Sequence, residues 1–70
     1  MAYYSLVGKD GNAYNIIGYV TGCMKKEDME NDIDAYIEDA ESGDYDHLLI
    51  VSQGMIQELN EAREEREGSL

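Results

Sequence analysis

Ile33-Asp34-Ala35-Tyr36-Ile37-Glu38-Asp39-Ala40-Glu41-Ser42-Gly43-Asp44-Tyr45-Asp46-His47-Leu48-Leu49 carries the clearest helical signal in the chain. Ile33, Tyr36, Ile37 and Ala40 recur at i, i+3, i+4 and i+7, the spacing of one helix face. Asp32, Asp34, Glu38, Asp39 and Glu41 cover the other faces. The spacing predicts a helix from about Asn31 to Glu41, stopped by Ser42-Gly43, with Gly43 suited to the left-handed C-terminal cap position. Asp44 is a natural N-cap for a further helix starting at Tyr45.

Downstream, Leu48, Leu49, Ser52, Met55, Ile56 and Leu59 make the inner face of that helix, which is expected to run to about Glu64. Ile50 and Val51 widen its apolar surface beyond one stripe, a hint of an interface. Glu61 to Glu67 is charged and poor in apolar residues, and is expected to project and fray. Upstream, Asn12 is a good N-cap for a first helix ending at about Met24 or Lys26. Ala13, Ile16, Ile17, Val20 and Met24 share its apolar face. Gly18 and Gly22, four apart, mark a place where another backbone approaches, read first as a helix crossing within the fold. Tyr3 to Val7 favours an extended strand ended by Gly8, and a single strand needs a partner for its backbone groups. The predicted fold is therefore mainly α: a short extended arm or strand (1–8), three helices (12–66) and a frayed tail (67–70), in one small domain.

The chain has 70 residues, one cysteine and one histidine. Such a chain buries only about 60% of the surface its unfolded form exposes, so its core is small. One cysteine allows no internal disulfide, and one cysteine with one histidine does not build a usual structural zinc site. Self-association is what remains to compensate, so a homo-oligomer is expected. Sixteen acidic residues against five basic ones give a formal net charge of −11. That balance opposes direct binding to nucleic acid and to anionic membranes. It fits a solubility surface, a basic protein partner or a mimic of nucleic acid. No basic segment followed by an apolar run opens the chain, and no apolar stretch approaches the ~20 residues of a membrane span. A cytoplasmic location is expected, and no cofactor is called for.

Four features carry possible chemistry. Gly8-Lys9-Asp10-Gly11-Asn12-Ala13-Tyr14-Asn15 joins a glycine-flanked turn, a helix N-terminus and one of the few cations. Backbone N–H groups with Lys9, Gly11, Asn12 and Asn15 suit a phosphate or ribose, and Tyr14 suits stacking on a base. The plain alternative is an ordinary capped turn. Asp44, Asp46 and His47 resemble an acid–base set but are explained by helix capping and the helix dipole. The ten carboxylates from Glu27 to Asp46 fit no calcium loop and read as a solvated face or a surface for a basic partner. Of the six tyrosines, Tyr36 and Tyr45 lie on core stripes, whereas Tyr3, Tyr4, Tyr14 and Tyr19 are candidates for interface or ligand contact. Cys23 reads as a buried small residue.

The segments Leu6 to Val20 (with Gly-Asn-Ala-Tyr at 11–14) and Ser42-Gly43-Asp44-Tyr45-Asp46-His47-Leu48-Leu49 resemble a family of short proteins. These are encoded by phages, prophages and mobile elements of low-GC Gram-positive bacteria. The resemblance spans Leu6 to Leu49 and carries no catalytic motif. It implies a non-enzymatic phage accessory protein that counters bacterial immunity. The first expectation is sequestration of a small nucleotide-type signal at Lys9, Gly11, Asn12, Tyr14 and Asn15, in a pocket between subunits. The alternative is an acidic inhibitor that covers a basic surface of a bacterial defence protein through Asp34, Glu38 and Glu41.

Overall fold

The computed structural model describes residues 4–6 and 12–68. Three helices, α1 (Ala13–Lys26), α2 (Ile33–Ala40) and α3 (Tyr45–Gly68), make a mainly helical domain, with no strand among the described residues. The long α3 packs against both α1 and α2, and those two touch each other less. Val20, Met24, Ser52 and Leu59 are fully buried at the centre, surrounded by Ile16, Cys23, Tyr36, Ala40, Leu48 and Ile56. The inner stripe of α3 is thus Leu48, Ser52, Ile56 and Leu59, while Leu49 and Met55 sit at its edges, only partly buried. Ser52 is tolerated at the centre because its Oγ lies 2.6 Å from the buried Tyr36 hydroxyl, so neither polar group is orphaned.

Asn12 caps α1 as its residue type predicts: its Oδ1 accepts the Tyr14 N–H at 2.8 Å. Lys25 and Lys26 occupy the last turn, where cations offset the helix dipole. The chain then leaves the helix through Asp28, which takes a left-handed φ of 60°. The Met29 N–H reaches the Met24 carbonyl at 2.8 Å and the Asp28 N–H the Lys25 carbonyl at 3.3 Å. These two bonds close a Schellman-type end without glycine. A single 3₁₀ turn (Glu30–Asp32) leads into α2, which therefore begins as an α-helix at Ile33 rather than at Asn31.

Several expectations change. Gly43 is not in the left-handed conformation; a Cβ there would meet His47 Cβ and Cγ at 2.9 Å, so this glycine makes room for a histidine. Helix α3 does not stop near Glu64 but continues through Glu67 to Gly68; Ser69 and Leu70, the rest of the expected tail, lie outside the described residues. Its last turns are held by Arg63, which pairs with Glu67 at 2.8 Å, and by contacts of Arg63 and Arg66 with Glu27. Among the described residues no atom comes within 4 Å of a Cβ built on Gly18 or Gly22, so no helix crossing inside the fold uses them. Tyr4–Leu6, inside the expected strand, adopt no regular secondary structure. The Tyr4 backbone instead pairs with one side chain: its N–H donates to Asn60 Oδ1 at 2.7 Å, and Asn60 Nδ2 donates to its carbonyl at 3.1 Å. An amide on α3 thus satisfies the backbone groups of Tyr4, while Tyr3 and Val7, the ends of the expected arm or strand, lie outside the described residues.

Candidate functional site

The first turn of α1 faces the α2–α3 turn across a groove of about 390 Å³. Ala13, Ile17, Ala40 and Leu48 supply its apolar lining, Tyr14 and Tyr45 its aromatic rings, and Glu41 and Asp44 its carboxylates. Tyr14 is 79% exposed and Tyr45 42% exposed. Tyr14 is held outward because α1 turns its other face, Ile16 and Val20, to the core. Tyr45 belongs to the groove and not to the core stripe on which its spacing placed it. It falls in the first turn of α3, one turn before Leu48, where the stripe begins.

The turn between α2 and α3 is rigidly tied. Asp44 Oδ1 accepts the His47 N–H at 2.9 Å, the capping contact expected of it. The Ser42 hydroxyl donates to the Asp39 carbonyl at 2.6 Å. His47 Nε2 donates to the same carbonyl at 2.9 Å and lies 3.2 Å from Ser42 Oγ and 3.3 Å from Asp39 Oδ1. The imidazole therefore bolts the end of α2 to the start of α3, and it does so against the bare face of Gly43. Asp44 meets the backbone of His47 rather than its ring. Among the described residues no group of three or more His, Cys, Asp or Glu is placed to hold a metal ion.

The two residue sets picked from the sequence meet in this groove at one point each: Tyr14 from the first, Glu41 from the second. Lys9 and Gly11 lie outside the described residues. Asn12 is occupied as a cap, and Asn15 is exposed on α1 without lining the groove. Asp34 and Glu38 are exposed on α2, also away from the lining.

A second cluster surrounds Glu27, whose side chain is only 2% exposed. The Tyr4 hydroxyl donates to its Oε2, Arg63 Nη1 approaches the same oxygen at 3.5 Å, and Arg66 Nη2 lies 3.3 Å away. Two of the five cations are thereby committed to an internal carboxylate. Burial first, then the bond to Glu27, raises the Tyr4 pKa above 10.0. Burial likewise raises Tyr19, whose hydroxyl accepts the Ser5 N–H at 3.1 Å, and Tyr36. Hydrogen bonding, to Glu67 above all, holds the Arg63 guanidinium above its ordinary value. Cys23 is buried, as its position after Gly22 suggested.

No helix among the described residues is long and apolar enough to cross a membrane. Comparison with family models, with curated proteins and with solved structures finds no match to the chain.

Proposed function

We propose that this protein is a non-enzymatic binding module that covers a basic surface of another protein, anchored at the groove between α1 and the α2–α3 turn. One observation carries the reading: Tyr14 and Tyr45 converge with Glu41 and Asp44 on a single apolar-lined groove. An aromatic face and a carboxylate together favour an arginine or lysine head group, at about 0.5–2 kcal/mol for the ring contact alone. The chain's charge of −11 adds long-range attraction for such a partner, and Arg63 and Arg66 are too closely paired to oppose it. Asp34 and Glu38, exposed on α2, extend the negative field beyond the groove. Taken with the resemblance to phage-encoded proteins, the partner class is a basic, nucleic-acid-binding surface on a bacterial defence protein.

A second reading, sequestration of a small nucleotide-type signal by an oligomer, draws on the same Tyr14 ring, exposed beside the first turn of α1 and free to stack on a base. Glu41 and Asp44 in the lining disfavour an anion there, which is why we place this reading second. Calorimetric titration of the full chain separates the two. A short arginine-rich peptide should bind, weaken as salt rises, and weaken further in Asp34→Lys/Glu38→Lys/Glu41→Lys, with Lys9→Ala unchanged. Binding of cyclic nucleotides or cyclic ADP-ribose isomers that Lys9→Ala abolishes would reverse the order of the readings.

A further inference from the structure

A second groove, of about 530 Å³, runs between α2 and α3 and shares no lining residue with the first. Met29, Val51 and Met55, all half-buried, and Ile50, 71% exposed, make its apolar walls. Ala35 and Gly54 keep it open. Gly54 sits inside a 24-residue helix, where glycine is a poor choice, and nothing lies within 4 Å of a Cβ built on it. Packing within the described fold therefore does not require glycine at this position. Asp32, Asp39 and Glu58 border the groove, and no lysine or arginine lines it.

We infer that the α2–α3 groove receives an amphipathic helix with lysine- or arginine-bearing flanks from a protein partner. The inference rests on the reading of this protein as a module for a basic partner and names the element that partner presents. Charge complementarity selects the occupant. An apolar stripe at i, i+3, i+4 and i+7 fits between Ile50 and the two methionines, while basic flanks meet Asp32, Asp39 and Glu58. Methionine walls adapt to the shape of the inserted side chains. A second copy of this chain is a poor occupant, because each copy carries −11.

The test is an NMR titration of the ¹⁵N-labelled full chain with an amphipathic leucine–lysine helical peptide. A peptide of the same composition with its leucines scattered around the helix is the control. The amphipathic peptide should shift the amides of Ile50, Val51, Gly54 and Met55, and should bind about tenfold more tightly than the control. Ile50→Glu should weaken it by a similar factor, and its exposed position leaves the fold intact. Gly54→Leu should block the groove while keeping or raising the Tm, which separates loss of binding from loss of structure. Equal binding of the control peptide, or no shifts along the groove, would overturn the inference. Shifts confined to Tyr14, Glu41 and Tyr45 would overturn it too, yet leave the proposed function standing. Shifts along α2–α3 with the Tyr14 groove silent would keep the inference and remove the Tyr14 anchor. A concentration-dependent dimer in light scattering that Ile50→Glu dissolves would assign the groove to a second copy and overturn it.

Discussion

Replacing Glu27 with alanine should destabilise the protein far more than replacing any exposed acid of α2. The magnitude follows from what the carboxylate holds. It accepts the hydroxyl of Tyr4, a side chain that is itself buried, and losing that acceptor orphans a buried donor at about 1–3 kcal/mol. It also pairs with Arg63 and Arg66, whose heads are 33% and 50% exposed. Heads so accessible to water rehydrate when released, so the two pairs add little to that cost. The Tyr4 hydroxyl therefore sets the loss at about 2 kcal/mol, a fall in Tm of roughly 8–16 °C for a domain of this size. Circular dichroism at 222 nm during heating measures it. Glu27→Gln keeps an acceptor for Tyr4 and should cost about half as much. The double variant Tyr4→Phe/Glu27→Ala should cost less than the two singles summed, because no hydroxyl is then left unpaired. A Glu27→Ala Tm within about 2 °C of the parent, or strict additivity in the cycle, would mean that Glu27 does not hold the Tyr4 hydroxyl.

Three further outcomes are expected. Asp28→Gly should raise the Tm by about 4–8 °C, because the left-handed φ of 60° costs an L-residue roughly 1 kcal/mol; a lower Tm would mean that the Asp28 side chain contributes more than the strain removes. Gly43→Ala should cost about 1–2 kcal/mol by pushing His47 off the Asp39 carbonyl, and a double variant with His47→Gly, which lacks the Cβ that Ala at position 43 would strike, should cost less than the two singles summed, as read by urea unfolding. Stability should fall as pH rises past 10.0, since Tyr4, Tyr19 and Tyr36 hold their protons longer folded than unfolded; the unfolded chain ionises first and is favoured through that window. Tyrosine absorbance followed against pH, beside thermal melts, checks this, and melts unchanged up to pH 11 would contradict it.

The helices were legible because each carries a local signal. Asn12 and Asp44 are capping residues, Ile33 to Ala40 is a clean stripe, and both caps form the contacts their chemistry predicts. What the sequence hid is what depends on distant pairing or on competition between roles. Glu27 is one of ten carboxylates in its region, and nothing local marks it as the buried one. Its arginines lie 36 and 39 residues away, and the same arginines carry α3 on to Gly68. Asn60 reads as an ordinary polar position on α3, yet it clasps the Tyr4 backbone 56 residues distant. Gly43 illustrates competition: a glycine after a helix suggests a left-handed cap, but at the end of α2 space for His47 decides, while the left-handed residue at the end of α1 is Asp28, which no glycine signals. The groove was half visible. Tyr14 and Glu41 stand out in the sequence for rival reasons, and only the packing of α1 against the α2–α3 turn brings them to one lining, with Tyr45 drawn from the core stripe to join them.

Whether the Tyr14–Tyr45 groove receives a basic partner is decided by an NMR titration of the full chain with a short arginine-rich peptide and, separately, with cyclic nucleotides and cyclic ADP-ribose isomers. Peptide-induced shifts should concentrate at Tyr14, Glu41, Asp44 and Tyr45 and be lost in Tyr14→Ala/Glu41→Lys, and the nucleotides should cause no shifts there. Nucleotide-induced shifts at Tyr14 and Asn15, or peptide shifts spread evenly over every exposed carboxylate, would contradict a basic partner in that groove.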